Sequence, residues 1–221
     1  MHKVLIIFVF SAFCVYAECR AETLDEGGWE RISNSDGIEV SRKTVPNSAL
    51  FAFKGEADID APMSKVLSVI RDTSRAKEWV DRVNEIRLVK QITPNERLEY
   101  YHIEIPWPLK DRDFVYISKI EVDKVAKKII FSIRSVEEPS LPPNSKNVRG
   151  AIYNTTLTLT PVDGGKRTHA IGVAHTDPKG AVPSWIVNLI QKGWPENTIK
   201  NVRKQVKKPD IVDDPVAKEL D

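Results

Sequence analysis

The sequence predicts an α+β domain in which an antiparallel β-sheet holds one long C-terminal helix. Three observations support this fold class. Between residues 86 and 176 the sequence contains only strand-like segments joined mostly by short connections, and short connections imply antiparallel neighbours because parallel strands need long crossovers. Two short helical patterns precede these strands at residues 60–80. An amphipathic helical pattern follows them, from Pro183 to about Lys208.

Two of the predicted strands carry small residues on one face. The first, residues 51–59, alternates apolar and polar side chains, which is typical of a half-buried antiparallel strand. Small residues at inward positions either leave room for a pocket or pack closely against the helix, and the pattern leaves both interpretations open. The small residues in question are Gly55, Ala57, Ala170, Gly172 and Ala174.

The C-terminal helical pattern has an apolar stripe and a basic face. A proline inside a helix removes a backbone hydrogen bond, so we expect a kink at Pro195. Cations gathered toward a helix C-terminus also suit the helix dipole. The apolar stripe consists of Val182, Trp185, Ile186, Leu189, Ile190, Trp194, Ile199, Val202 and Val206.

A proline-bracketed tryptophan lies in the middle of the strand region. Pro106 and Pro108 flank Trp107, and both prolines make the backbone stiff and non-helical. Such a fixed aromatic side chain either fills a core or lines an opening. The residues that follow, Asp111-Arg112-Asp113, are interpreted as a turn held by charge pairing rather than as a catalytic cluster.

The N-terminus has the pattern of a secretory signal peptide at residues 1–21. His2 and Lys3 precede an apolar run, and cleavage is expected after Ala17 or Ala21. The run from residue 4 to residue 15 would span only about 18 Å as a helix, whereas a bilayer core needs about 30 Å. We therefore expect an exported protein, located in the periplasm, or secreted if the source is eukaryotic. Residues 22–208 are the predicted domain, and residues 209–221 are predicted to be an acidic flexible tail.

Charge and cysteine content exclude several classes of function. The predicted mature chain has 31 basic and 30 acidic residues, and this near-neutral balance does not favour nucleic-acid binding. Cys14 leaves with the signal peptide, as does Cys19 if cleavage follows Ala21, so no disulfide framework is expected. We expect a monomer without a cofactor or metal ion.

The sequence contains few candidates for catalysis. It has none of the common nucleophile, zinc-protease, phosphate-loop or dithiol motifs. His102 with Glu104, or His169, would be the only candidate acid–base groups for an enzyme. The favoured interpretation of His102 and Glu104 is that they face solvent, opposite to Tyr101 and Ile103.

Three motifs in the same order resemble the START (StAR-related lipid transfer) family. They are Pro106 to Val115, reading PWPLKDRDFV; Val148-Arg149 before a long strand; and Asp177 to Asn188, reading DPKGAVPSWIVN. Asp36-Gly37-Ile38 supports them near the start of the domain. The resemblance implies a helix-grip fold, in which a U-shaped antiparallel sheet holds the C-terminal helix over an internal hydrophobic tunnel.

The resemblance also implies which residues bind the ligand. Trp107 would lie at the tunnel mouth, and Arg112 and Asp113 would be structural residues of the motif. The lid would contain Val182, Trp185, Ile186 and Leu189, and the plausible wall residues are Tyr101, Ile103, Phe114 and Tyr116.

The expected function is that of a soluble, exported protein that holds one amphiphile in the tunnel and contacts membranes transiently. Family members that carry sterols place a buried arginine, paired with an acid, where this chain has Ser118. A phospholipid or another acyl lipid is therefore favoured over a sterol. The alternative is a helix-grip enzyme, such as a cyclase or hydrolase, that acts on a hydrophobic substrate in the same tunnel.

Overall fold

The computed structural model describes residues 27–80 and 82–221, so the predicted signal peptide lies outside the described residues. Ten strands form one sheet with the order β1-β2-β3-β10-β9-β7-β6-β5-β4, and β8 pairs with β6. All pairs are antiparallel except the short parallel pair of β6 and β8. The strands are β1 Glu30–Ser35, β2 Ile38–Thr44, β3 Phe51–Ile59, β4 Val83–Thr93, β5 Glu96–Ile103, β6 Arg112–Asp123, β7 Lys128–Ser135, β8 Val148–Arg149, β9 Ala151–Val162 and β10 Arg167–Asp177.

Within residues 27–80 and 82–221, four α-helices accompany the sheet, and the sheet curves around them. This arrangement confirms the predicted helix-grip class. The helices are α1 Met63–Arg71, α2 Ser184–Gln191, α3 Trp194–Gln205 and α4 Pro215–Lys218, with 3₁₀ turns at Thr73–Glu78 and Asp163–Gly165.

The main hydrophobic core lies between the sheet and helices α1, α3 and α4. Side chains that alternate along each strand bring one face of β6, β7, β9 and β10 against the helices. Leu159 and Ile129 are fully buried there and pair across β9 and β7, and Val202 and Val206 of α3 pack in the same cluster. This cluster closes one half of the concave face.

Gly55 shows why a small residue stands at one inward position of β3. A Cβ atom at this position would lie 2.7 Å from Pro195 Cβ and 3.1 Å from Ile199 Cδ1. The first turn of α3 therefore rests directly on the backbone of β3. At Gly55, close packing is the correct interpretation.

The predicted C-terminal helix is present, but it is interrupted at Lys192 and Gly193 rather than kinked at Pro195. Helix α2 ends at Gln191, and a separate helix, α3, begins at Trp194. Pro195 lies in the first turn of α3, where its missing N–H has no intrahelical partner to lose. The proline therefore starts a helix rather than bending one.

The prediction that residues 209–221 form a flexible tail is also wrong. Ile211, Ala217 and Leu220 are buried in the main core. Asp214 accepts a hydrogen bond from the Val216 N–H at the start of α4 and pairs with Arg71 at 2.9 Å. The acidic composition of residues 209–221 suggested a solvated segment, but three of its apolar residues are buried, and Asp214 caps helix α4.

We expect Leu220→Ala to lower the free energy of unfolding by about 2–3 kcal/mol, because it leaves a cavity in a well-packed core. Urea unfolding followed by far-UV circular dichroism would measure this loss. Val212→Ala is the matched control, since Val212 is 72% exposed and its loss should cost less than about 0.5 kcal/mol. Equal stability of the two variants would contradict the packed position of the C-terminal segment.

Candidate functional site

A second apolar cluster covers the other half of the concave face. It consists of buried side chains from β6 and β9 together with partly accessible side chains from β5 and β7. We call it the inner apolar patch. Its members are Tyr101, Ile103, Phe114, Tyr116, Ile133 and Ile152.

The strand register places the predicted wall residues together in this patch. Tyr101 lies directly opposite Phe114, and their rings stack with centroids 5.8 Å apart. Tyr116 is two residues beyond Phe114 and therefore faces the same side. Ile103 follows Tyr101 by the same spacing. All four residues share the concave face, and their contact with a ligand remains a prediction.

Gly172 provides room on the same face of β10. A Cβ atom at this position would meet only Leu157 Cδ1, at 3.9 Å, which is an ordinary van der Waals distance. Leu157 lies opposite Gly172 and is itself partly accessible. The small residues therefore have different roles at different positions. Gly55 allows close packing against α3, whereas Gly172 borders open space.

The concave face also contains a buried carboxyl group that sequence reasoning missed. Glu99 is only 3% exposed and lies opposite Tyr116. Burial raises the pKa of Glu99, whereas a hydrogen bond with Ser118 and the charges of Arg97 and Arg71 act in the opposite direction. The signal was available, because Glu99 alternates in phase with Tyr101 and Ile103 along β5.

We expect Glu99→Gln to stabilise the protein at pH 7. The folded-state pKa of Glu99 lies above the value of 4.5 for an ordinary glutamate. Protonation of Glu99 therefore stabilises the folded state below pH 4.5, and this stabilisation is lost as the pH rises through the folded-state pKa. The stability gained by the glutamine variant should shrink toward pH 4. Urea unfolding at both pH values measures this difference. Glu121→Gln, on an exposed side chain, should change stability by less than about 0.5 kcal/mol, and a destabilised Glu99→Gln variant at pH 7 would refute the prediction.

Arg112 connects two loops at one end of the sheet. Its guanidinium group is buried and donates hydrogen bonds to the carbonyl oxygens of Lys110, Pro178 and Lys179, the latter two at 3.1 Å. The loop that contains Trp107 is thereby fixed to the segment that leads into α2. This position agrees with a structural role for Arg112.

Asp113 has a different partner. It is 1% exposed and accepts hydrogen bonds from Arg149 Nε at 3.1 Å and Arg149 Nη2 at 3.0 Å. Asp113 also pairs with Arg149 in the short parallel bridge of β6 and β8. Arg112 and Asp113 therefore serve separate contacts, and this geometry favours the structural interpretation of the motif over a reactive pair.

Helix α2 is attached mainly through polar contacts. Val187 is its one buried residue among those described. Asn188 accepts a hydrogen bond from the Phe51 N–H and donates one to the Ala49 carbonyl, and Gln191 donates to the Thr176 carbonyl. Few apolar contacts thus fix this helix to the sheet.

Several large apolar side chains at this end of the molecule are exposed. Of the predicted lid residues, Val182 and Ile186 are partly buried, whereas Trp185 is 68% and Leu189 65% exposed. Trp107 is 92% exposed. A group of this kind marks an interaction surface more often than a chance arrangement. We call it the mouth surface, and its members are Trp107, Leu109, Trp185, Leu189, Ile190 and Trp194.

The candidate acid–base residues of the enzyme alternative do not come together. His102 Nε2 lies 3.1 Å from Asp111 Oδ2, and Glu104 accepts a hydrogen bond from Asn84. His169 lies on the outer face of β10, with its Nδ1 2.8 Å from Asp58 Oδ1. His102 lies between Tyr101 and Ile103 on β5 and faces the opposite side of the sheet, as His169 does on β10, so neither histidine faces the inner apolar patch.

Among residues 27–80 and 82–221, no cluster of three or more histidine, cysteine, aspartate or glutamate side chains is arranged to hold a metal ion. Within the same residues, no helix has the length and apolarity to cross a bilayer.

The fold and the site together define a class of protein. A curved antiparallel sheet holds helices over one half of its concave face, and the other half presents the inner apolar patch beside a weakly attached helix. Such an architecture is that of a helix-grip protein.

The particular family follows from comparison with known proteins. The START domain model matches residues 11–209, and the chain belongs to the START family. The bovine (Bos taurus) phosphatidylcholine transfer protein is 28% identical over 192 residues, which cover 85% of this chain and 88% of that protein.

Two solved structures extend the comparison. The crystal structure of human STARD10 superposes with a TM-score of 0.77 at 26% identity, covering 86% of this chain and 77% of the other. A STAR-related lipid transfer protein from Xanthomonas axonopodis superposes with a TM-score of 0.73 at 28% identity, covering 82% and 99%, respectively. The chain is thus similar to both bacterial and animal members.

Proposed function

We propose that this protein binds one phospholipid, with its acyl chains against the inner apolar patch, and carries it between membranes. The observation that carries the proposal is the inner apolar patch, in which Tyr101, Ile103 and Ile133 stay partly accessible, together with the space at Gly172 on the same face of the sheet. Each buried CH₂ group contributes about 0.8 kcal/mol, so a single acyl chain supplies about 10 kcal/mol before ordering costs. Similarity to a phosphatidylcholine transfer protein supports the same ligand class.

The polar residues of the concave face favour a phospholipid over a sterol. Ser118 is 3% exposed and hydrogen-bonds with Glu99. It occupies the position at which the family resemblance places arginine in sterol carriers. Glu99 therefore lacks the arginine partner on β6 that the family resemblance expects in sterol carriers.

Ligand entry requires α2 to move, and the weak attachment of α2 to the sheet allows this movement. Three side-chain hydrogen bonds and one buried valine hold it against the sheet. Lys192 and Gly193 separate it from α3, which the main core fixes in place. Helix α2 can thus swing about this short junction while α3 stays packed.

The mouth surface supplies a contact with the bilayer. Tryptophan is enriched at membrane interfaces, and lysines near such a surface are attracted to anionic head groups. Arg112 joins the loop that contains Trp107 to the segment that leads into α2, where Trp185 lies. Lys110 belongs to the same loop as Trp107, and Lys192 follows the last residue of α2. The bilayer contact is therefore proposed at the same end as the moving helix.

The remaining features of the proposal concern location and chemistry. We propose that the protein acts as an exported monomer in the periplasm, on the basis of the signal-like N-terminal sequence. We propose no catalytic step, because His102, Glu104 and His169 hold partners outside the concave face.

A transfer assay between phosphatidylcholine vesicles tests the membrane contact. We expect the double variant Trp107→Ser, Trp185→Ser to transfer fluorescent phosphatidylcholine at least tenfold more slowly, because both interfacial anchors are lost. Val125→Ser is the matched control, since Val125 is 98% exposed in the turn at the opposite end of β6. Unchanged transfer by the double variant would contradict the proposed docking surface.

A further inference from the structure

Residues 210–221 lie beyond the part of the chain that matches the START domain. The match ends at residue 209, and the chain continues into helix α4. Ile211, Ala217 and Leu220 of this segment are nevertheless buried in the main core. We call residues 210–221 the C-terminal strap. The family fold does not by itself account for this strap.

The strap is attached along helix α1. Near the start of α1, the Ser64 N–H donates a hydrogen bond to Asp221 Oδ1 at 3.1 Å, and the Ser64 carbonyl accepts one from the Asp214 N–H at 3.0 Å. At the last residue of α1, Arg71 Nη1 lies 2.9 Å from Asp214 Oδ2. The strap therefore holds α1 from its first turn to its last.

Arg71 extends this attachment to the end of β5 that lies opposite the loop with Trp107. Its Nη2 donates to the Pro94 carbonyl, in the turn between β4 and β5, at 3.3 Å. The Arg71 carbonyl accepts from Arg97 Nη1 at 3.0 Å. Arg97 precedes Glu99 by two residues on β5, so both side chains face the concave side. The strap, α1, the β4–β5 turn and the concave face thus meet at Arg71.

A small cavity of about 10 Å³ lies beside Arg71, with room for about one water molecule. Its walls include Arg97, Glu99 and Ser118, together with apolar side chains of α1, β6 and β7. Arg97 Nε is buried and has no hydrogen-bond partner among residues 27–80 and 82–221. Glu99 lies opposite Tyr116 of the inner apolar patch, so the cavity borders the patch along β5 and β6.

The far end of the concave face is therefore closed by polar side chains that an ion pair holds in place. The Arg71 and Asp214 side chains are both largely buried. Removing one partner of such a pair leaves a buried charge without a counterion, and this charge is stabilised only if water reaches it. The closure thus depends on Asp214, which belongs to the strap.

We propose that the C-terminal strap closes the far end of the ligand site through the Asp214–Arg71 pair, and thereby retains a bound lipid while the protein is away from a membrane. This inference rests on the proposed function and adds a second boundary to the same site, opposite the mouth surface. Loss of the pair releases the Arg71 side chain and widens the small cavity into a gap between α1 and the β4–β5 turn. Water then reaches the inner apolar patch from this end.

The rate of lipid release in the absence of membranes tests the role of the strap. The protein is loaded with pyrene-labelled phosphatidylcholine, and release is followed with excess serum albumin as the acceptor. We expect Asp214→Asn to release the lipid about tenfold faster than the wild-type protein, because the ion pair is lost while the side-chain oxygen still accepts from the Val216 N–H. Asp213→Asn is the matched control, since Asp213 pairs with Lys218 at 3.2 Å and not with α1, and its release should be unchanged.

Two further variants separate the ion pair from a general loss of stability. Arg71→Met breaks the same pair from the other side, and the double variant with Asp214→Asn should release lipid no faster than either single variant, because both changes remove one interaction. Val40→Ala leaves a cavity in the separate cluster under β2, so it should destabilise the protein without faster release.

The outcomes distinguish the strap from the proposed function. Uptake of lipid by the wild-type protein with equal release by the wild-type, Asp214→Asn and Arg71→Met proteins would overturn the strap alone. Additive effects in the double variant, or equally fast release by Val40→Ala, would overturn the role of the Asp214–Arg71 pair. Absence of any uptake by the wild-type protein would overturn the proposed function and the strap together.

Discussion

Replacing Gly172 by leucine is expected to reduce lipid loading at least tenfold without unfolding the protein. A Cβ atom at Gly172 meets only Leu157 at 3.9 Å, so the first atom of a new side chain is accommodated easily. The rest of the leucine then extends past Leu157 into space on the concave face that we assign to an acyl chain. Mass spectrometry of lipid per protein after incubation with phosphatidylcholine vesicles measures the loss, and urea unfolding should show a change of less than about 1.5 kcal/mol.

Gly55→Ala is the matched control for this experiment, because it adds bulk to the same face of the sheet where space is absent. Its Cβ would lie 2.7 Å from Pro195 Cβ, so α3 must shift. We expect a loss of about 1–3 kcal/mol in unfolding free energy, with unchanged lipid content per folded molecule. If the two glycine variants lost lipid equally, the assignment of acyl-chain space to Gly172 rather than to Gly55, its partner on β3, would be wrong.

Removing Arg149 is expected to cause a large loss of stability, because it leaves a buried charge without a counterion. Asp113 is 1% exposed, and Arg149 supplies two hydrogen bonds to its carboxylate. Breaking a buried ion pair by deleting one partner typically costs about 3–5 kcal/mol. We therefore expect Arg149→Ala to lower the free energy of unfolding by that amount, measured in urea.

Two further variants make the Arg149 experiment specific. Arg31→Ala removes an exposed cation that pairs with Glu39, and its cost should stay below about 1 kcal/mol. Adding Asp113→Asn to Arg149→Ala should recover part of the lost stability, because the buried charge is then absent. A small effect of Arg149→Ala, similar to that of Arg31→Ala, would show that the pair does not support the fold.

The order of the elements was predictable from sequence, but two helix features were not. Alternation along β3 and the short connections after residue 86 indicated the antiparallel sheet, because strand period is a local property. The break between α2 and α3 was missed because Pro195 suits either a kink or a helix start. The buried C-terminal segment was missed because Ile211, Ala217 and Leu220 are separated by polar residues, and their burial depends on α1 and the sheet.

The candidate site was partly predictable because the alternation of side chains along a strand is a local property of the sequence. Alternation and the family motif brought Tyr101, Ile103, Phe114 and Tyr116 to one face, as the register of β5 and β6 requires. The orientation of Tyr153 could not be foreseen, because the bulge after His175 reverses the side that Tyr153 faces. No local pattern in the sequence encodes that change of phase.

Mass spectrometry of lipids that co-purify with the protein tests the central claim most directly. We expect one phospholipid per protein, retained through purification and exchanged on incubation with phosphatidylcholine vesicles. Recovery of no amphiphile, together with no uptake from those vesicles, would contradict it.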